Sequence, residues 1–355
     1  MYNYYILIFL SLAYLLLFKF YYIRLTNFLN LYDIPDFKRK IHYKKVSLAG
    51  GLLIYFFLYF ILFFDIFYLN KINTNLLFVN NRELITFAIF STLYFLVGIY
   101  DDKFNLVADK KLFLYFFITC VFLTTNESLL IQNINFSFLE KNIVLSKFSF
   151  FFTAFAILLF INSLNMFDGI NLQSGLYIIF FLIILFFKFN YSIIFLSLII
   201  ILLFFLYLNN ASKIFLGENG ISFLGFFLSY FSIFSYNNKI INYADEVFLI
   251  MCIPGFDLLR LSITRLISGK HPFSADKNHI HHKLLKKYNQ KITILIVMTL
   301  VILPYLLFLI FNNSFLKLSI DELILPILSK TWRSLVLNAV ISSLIPCTSN
   351  SHVSI

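Results

Sequence analysis

Charge is scarce in this 355-residue chain, where Asp, Glu, Lys and Arg supply 13% of the residues against 61% hydrophobic ones. A water-soluble globule of this size could not hold that much apolar side chain in its interior, so a single soluble core is excluded and a polytopic membrane protein is implied. Cysteine is sparse too. Of the three, Cys120 and Cys252 fall in apolar stretches and Cys347 in the tail, without metal or redox spacing, which argues against a disulfide framework and against thiol catalysis. No Lys or Arg precedes the first apolar run and no small-residue cleavage site follows it, whereas Lys19 and Arg24 come after it. A cleaved signal peptide is therefore not expected, and the first run reads as an anchor with its N-terminus outside. No internal repeat is visible.

What the chain does have is long apolar runs. Spans of about 17 to 25 residues match a hydrocarbon core of about 30 Å, and only helices let such runs satisfy their own backbone there. Ten spans begin near Tyr4, Leu48, Leu84, Leu112, Phe148, Leu176, Tyr191, Ile221, Ala244 and Ile292, and an eleventh is drawn between Trp332 and Ile345. The expected fold is thus all-α, with ten or eleven transmembrane helices. Residues 1–313 read as one transmembrane domain. The sequence turns Ser-rich and Phe-free after Ser329, and residues 314–355 are set apart as a C-terminal segment.

With the N-terminus outside, parity assigns alternate loops to the inside, and these carry more than twice as many Lys and Arg as the outside loops, in agreement with the positive-inside rule. The net charge of +11 therefore falls mostly on the cytoplasmic face, where it suits anionic headgroups and phosphate ligands alike. The 49 Phe are spread through lipid-facing helices, and no nucleic acid is expected as a partner.

Five inside loops carry the chemistry. The first contains Asp33-Ile34-Pro35-Asp36-Phe37-Lys38-Arg39-Lys40-Ile41-His42, with cations at headgroup depth where a lipid phosphate would dock. The third span closes on Asp101-Asp102. Adjacent carboxylates there repel each other and need a metal, a basic partner or a water-filled cavity, unless the helix end simply dips into water. In Asn162-Ser163-Leu164-Asn165-Met166-Phe167-Asp168-Gly169 a continued helix would turn Asn162, Asn165 and Asp168 the same way, as oxygen ligands suited to a hard cation; polar capping is the plainer reading. Phe215-Leu216-Gly217-Glu218-Asn219-Gly220 places one carboxylate at a helix start. That arrangement suits Mg²⁺, which typically takes one or two protein oxygens and leaves the rest to water and phosphate. The last loop, with Pro272, Phe273, Asp276 and His279-Ile280-His281-His282, is a poor zinc site by spacing, and its imidazoles stand near Arg260 and Arg265, where phosphate oxygens could bind.

Together, from Asp33 to about Leu285, these motifs resemble the polyprenyl-phosphate N-acetylhexosamine-1-phosphate transferases, glycosyltransferase family 4. Five motifs in order on one face make the resemblance specific, and His279-Ile280-His281-His282 looks like the bacterial N-acetylglucosamine-1-phosphate branch. The resemblance implies a multi-pass enzyme of the bacterial cytoplasmic membrane with a cytoplasmic active site. A phosphate oxygen of undecaprenyl phosphate would attack the β-phosphorus of a UDP-N-acetylhexosamine and release UMP, starting a lipid-linked cell-envelope polysaccharide. It also implies Mg²⁺, with Mn²⁺ as a substitute, held by Asn165 and Glu218. Asp101, Asp102, Asp168 and His279 fall in the catalytic set. Substrate contacts fall to Asn162, Asn171, Phe215, His281, His282, Arg265, Lys111 and Lys40. Membrane lipids and a second copy in a homodimer complete the expected partners.

Three departures bear on this. Glu218 stands where bacterial members usually have Asp, Asn171 replaces a usual Asp, and Ser47 stands where a proline often precedes Gly50-Gly51. The first two motivate an alternative, a non-catalytic member that binds lipid phosphate. A transporter is a further alternative, but it would place polar groups at mid-span and show repeat symmetry, whereas here the carboxylates crowd at helix ends. Whether Asp101 acts as a base or an aspartyl-phosphate forms stays open.

Overall fold

The structure, a computed structural model, describes residues 2–35, 44–69, 74–139, 141–269 and 278–311. Helix α1 spans Tyr2–Leu29, and a short antiparallel pair, β1 (Tyr32–Asp33) and β2 (Val46–Ser47), leads into α2 (Gly50–Tyr68). A single turn, α3 (Thr74–Leu77), precedes α4 (Asn81–Phe104) and α5 (Ala108–Thr125). A second small pair, β3 (Asn133–Ile134) and β4 (Ile143–Val144), precedes α6 (Ser149–Phe167), α7 (Gln173–Lys188), α8 (Ile193–Asn210), α9 (Gly217–Asn237) and α10 (Ala244–Ile267). The short α11 (Ile280–Leu285) and the long α12 (Gln290–Phe311) complete the described chain.

Each of the ten expected spans coincides with one long helix. Seven of the helices are long and apolar enough to cross a membrane by length and composition, and α7 is apolar but shorter. Helices α5 and α9 fall outside that set because of Asp109, Lys110 and Lys111 in the one and repeated Gly, Ser and Asn in the other. The eleventh expected span, between Trp332 and Ile345, lies outside the described residues. Exposed Phe, Leu, Ile and Tyr side chains cover α1, which buries little of itself and offers the rest to lipid.

Helix α9 is the axis of the bundle. It is buried almost all round, from Asn219 to Ser235, against α4, α6 and α2. A helix buried on every side must satisfy its own polar groups, and Ser229 and Ser232 do so by donating back to the Phe226 and Leu228 carbonyls at 2.8 and 2.7 Å. Helix α4 is closed at both ends. Asn80 accepts the Glu83 N–H at 2.9 Å while the Glu83 carboxylate accepts the Val79 N–H at 3.0 Å, and Asn105 ends the helix in the left-handed region at φ 49°. Pro254 inside α10 cannot donate to the Ile250 carbonyl, which instead receives a long bond from the Tyr177 hydroxyl at 3.4 Å.

The two ends of the bundle carry different polar groups. At one end the Ser47 carbonyl accepts the Phe215 N–H at 2.8 Å, and the Phe215 and Leu216 carbonyls accept the first N–H groups of α2, from Gly50 and Gly51, both at 2.9 Å. This links the α1–α2 connection to the loop before α9 and fills orphan donors of α2. At the other end a Lys188–Glu246 ion pair at 2.6 Å joins α7 to α10, and Tyr305 of α12 adds a bond to the same Glu246 at 3.1 Å.

The approach of α4 to α9 depends on Gly98. A Cβ there would overlap the Asn219 Cα and the Glu218 carbonyl, which are backbone atoms that cannot step aside as a side-chain end could. We expect Gly98→Val to destabilise the fold by about 1–3 kcal/mol, the usual range for overpacking. Thermal unfolding of the detergent-solubilised protein measures this, and an unchanged midpoint would show that the α4–α9 contact is slack.

Candidate active site

Asp101 and Asp102 close α4, and as consecutive residues on a helix they point in different directions and find different partners. Asp101 is 7% exposed. Its Oδ1 accepts the Leu106 N–H at 2.7 Å and its Oδ2 pairs with Lys111 Nζ at 2.8 Å. Asp102 reaches the N-terminus of α9, where Oδ1 accepts the Glu218 N–H at 2.9 Å and Oδ2 accepts the Asn219 N–H at 3.0 Å and the Asn219 side-chain amide at 2.5 Å. Of the three remedies for a carboxylate pair, Asp101 thus has a basic partner, and Asp102 has the unpaired donors and positive end of a helix.

Lys111, in the first turn of α5, bridges two helices. Its Nζ lies 2.5 Å from Glu218 Oε2 as well as 2.8 Å from Asp101. Asn165 of α6 donates to the same Glu218 oxygen. Side chains from α5 and α6 therefore meet at one carboxylate of α9, and Asp101 of α4 joins them through Lys111. The Glu218 side chain keeps 31% of its surface exposed, which leaves room for a ligand. Asp168 caps α6 and receives the Ser174 hydroxyl. Burial pushes the Asp168 carboxyl up to about 6; the Ser174 hydroxyl holds it down, and the charge of Glu218 adds to the rise.

A second cluster is built around the histidines. His279 precedes α11, and its Nδ1 lies 2.9 Å from Asp257 Oδ2 on α10. His281 is 2% exposed. Its Nδ1 lies 3.4 Å from the Gln173 side-chain nitrogen at the start of α7, and its Nε2 edge rests on Gly169, where any Cβ would overlap the ring. Glycine at 169 is required by that contact. The His279 and His281 rings lie nearly parallel with centroids 5.3 Å apart, and His282 is 4.4 Å from His281. Burial pushes His281 down to about 3, with His282 and His279 acting the same way, so it is a neutral imidazole and any contact to phosphate or sugar is made without a charge.

Other expected site residues have partners of their own. The Asn162 amide donates to the Leu158 carbonyl at 2.8 Å, one turn back on α6, and the Asn171 amide donates to Ser212 Oγ at 2.8 Å. The Phe215 backbone is held between Ser47 and Gly50, and Arg265 is buried in the last turn of α10. Lys40, Pro272, Phe273 and Asp276 lie outside the described residues. Four contributors were not expected from the sequence as site residues: Asn219, Gln173, Ser174 and Asp257. Asp257 had a legible signal, a carboxylate three residues before Arg260 within an apolar helix.

Among the described residues no group of three or more His, Cys, Asp or Glu is arranged to hold a metal ion. A hard divalent cation that keeps its waters asks for less, one or two protein oxygens. Glu218 with the Asn165 amide, whose oxygen would turn inward beside a cation, fits that demand.

A bundle of membrane-crossing helices with carboxylates, amides and a lysine gathered at one end defines a polytopic membrane enzyme. Residues 84–236 match the family model described as Glycosyl transferase family 4. Over that segment the chain is similar to the family. It is 27% identical over 282 residues to "Undecaprenyl-phosphate alpha-N-acetylglucosaminyl 1-phosphate transferase" of Escherichia coli (strain K12), covering 76% of this chain and 73% of the relative. The protein of the same name from Salmonella typhi is 26% identical over 270 residues, covering 73% and 70%. "Probable undecaprenyl-phosphate N-acetylglucosaminyl 1-phosphate transferase" of Bacillus subtilis (strain 168) is 28% identical over 262 residues, covering 71% and 69%.

The His281 environment predicts a pH dependence of stability. The folded ring takes a proton only near about 3, whereas the unfolded one takes it near 6.5. Between those values the unfolded chain binds more protons, so stability is complete above the unfolded value and falls as acid is added. Going from about pH 7 to about pH 5 should remove about 2 kcal/mol at this residue. His281→Gln should flatten that slope in thermal unfolding, and an equal acid loss in both proteins would rule out His281 as its source.

Proposed function

We propose that this protein transfers N-acetylglucosamine 1-phosphate from UDP-N-acetylglucosamine to undecaprenyl phosphate at the cytoplasmic face of a bacterial membrane. An oxygen of the acceptor phosphate attacks the β-phosphorus of the UDP-sugar. The bond from that phosphorus to the bridging oxygen breaks, the electron pair leaves with UMP, and the product is a lipid diphosphate sugar. The observation that carries the reading is the meeting of Lys111, Asn165 and Glu218 from three helices, with Asp101 and Asp102 of a fourth behind them. The names of the relatives from Escherichia coli and Bacillus subtilis support the same sugar and carrier. The bias of Lys and Arg toward the loops at this end supports the cytoplasmic assignment.

Phosphoryl transfer asks a protein mainly for alignment and charge neutralisation. Glu218 and Asn165 are the residues that would hold Mg²⁺, or Mn²⁺ in its place. When bound, the ion would neutralise diphosphate oxygens and the charge developing on the leaving group. Lys111 holds a positive charge beside Glu218 and Asp101, within reach of incoming phosphate. Asp102 fixes the backbone of Glu218 and thereby the direction in which that carboxylate faces. Asp101 has both oxygens engaged, so serving as a base would require release from Lys111. The acceptor phosphate monoester has its second pKa near about 6 and is already largely ionised at neutral pH, which removes the need for one. Glu218 in place of the shorter Asp keeps the charge and reaches both Lys111 and Asn165.

The test is transfer of label from UDP-N-acetylglucosamine into undecaprenyl phosphate by the purified protein in detergent, with UMP release followed in parallel. We expect transfer to need a divalent cation and to stop with a chelator. Glu218→Gln and Lys111→Met should each lower kcat by about 100-fold or more, the range for losing a charge-stabilising group in a water-poor site. Folded protein that transfers no N-acetylhexosamine phosphate would refute the reading and favour a lipid-phosphate binding role.

A further inference from the structure

The loop that carries His279 is attached to α10 at three consecutive residues through one carboxylate and one guanidinium. Arg260 donates through a terminal nitrogen to Asp257 Oδ1 at 2.7 Å and to the Asn278 carbonyl at 2.7 Å. Asp257 Oδ2 meets His279 Nδ1 at 2.9 Å, and Oδ1 accepts the Ile280 N–H at 3.3 Å. The chain is thus held before His279, at its ring and after it. Asp257, Arg260 and His279 are 4%, 7% and 8% exposed, so these bonds are shielded from competing water.

A carboxylate accepts and does not donate, so a bond to Nδ1 requires the proton of a neutral imidazole to be on Nδ1. The opposite nitrogen, Nε2, then carries the lone pair, and in the protonated ring it becomes a second donor. A carboxylate that fixes the tautomer and orientation of a functional histidine through Nδ1 is a general device.

We propose that Asp257 is a positioning residue for the transfer reaction, acting through His279. Arg260 pairs with Asp257 and anchors the residue before the histidine. The Nε2 of His279 is thereby presented in one orientation to the phosphorylated substrate. This rests on the transferase reading of the site. It assigns a role to a residue buried in α10, 22 positions from His279 in sequence.

Two measurements test it, and only one depends on the reaction. The first is the nitrogen chemical shift of labelled histidine in the membrane-embedded protein, with His279→Gln identifying the signal. His279 in the wild type should be protonated at Nδ1, and Asp257→Asn, whose amide can donate to Nδ1, should shift population to the Nε2–H form. A wild-type ring in the Nε2–H form would overturn the proposal, as would a ring indifferent to Asp257→Asn.

The second is a double-mutant cycle on transfer. Asp257→Asn should lower kcat/KM by about 10- to 100-fold, the usual cost of removing the partner that orients a functional histidine. His279→Gln should cost as much or more, and the double variant no more than His279→Gln alone. Additive losses would overturn the proposal, because a purely structural role for Asp257 would be felt whether or not His279 is present. Should Asp257→Asn leave Arg260 too poorly paired to fold, Asp257→Asn with Arg260→Gln provides the same cycle without a buried uncompensated cation. Absence of transfer in the wild type would count against the transferase reading, while the nitrogen shifts would still decide whether Asp257 sets the state of His279.

Discussion

The site depends on one docking contact, the end of α4 against the N-terminus of α9. The carboxylate of Asp102 receives the backbone donors of Glu218 and Asn219, which a helix start would otherwise leave without partners in a buried place. Gly98, one turn earlier, gives the backbone clearance that lets the two helices come that close. Because α9 is buried from Asn219 to Ser235, the body of the helix has no solvent to relax into if the contact is lost. Glu218, on whose carboxylate Lys111 and Asn165 converge, is therefore held at its backbone by Asp102.

Charge explains the composition of the site. Asp101 and Glu218 share the Lys111 amine, Asp102 binds the backbone of Glu218, and the charge of Glu218 adds to the rise that burial imposes on the Asp168 carboxyl. Such a cluster holds anionic substrates only with additional positive charge, which is the physical case for a divalent cation arriving with a diphosphate. The histidine side works by a different principle. His281 is neutral and pressed on Gly169, so it joins the loop after α6 to the loop after α10 by shape. His279 is tied through Nδ1 to the carboxylate of Asp257. The one side supplies charge, and the other holds two loops in register.

Local information was enough for much of this. Ten apolar runs of bilayer length became ten helices at the expected places, because in hydrocarbon the backbone has no partner but itself. The convergence of the motif loops followed from parity, since alternate ends of successive spans must share a side. Asp101, Asp102, Lys111, Asn165 and Glu218 were all legible as polar residues at the ends of apolar runs. What could not be read was how they divide the work. Nothing local says that Asp101 pairs with Lys111 while its neighbour caps a helix more than a hundred residues away. Asp257 escapes the sequence reading because it stands inside an apolar helix, and its partner His279 lies 22 positions further on, beyond any helical spacing.

The sequence by itself determined the class of fold, the sharing of one end of the bundle by alternate polar loops and the residue types available for chemistry, since these rest on hydropathy, spacing and parity along the chain. Tertiary structure alone decided which carboxylate meets which donor, that His281 is buried and neutral, and that Asp257 holds His279. Those outcomes depend on distances of about 3 Å between residues far apart in the chain, a scale set by how helices pack against one another.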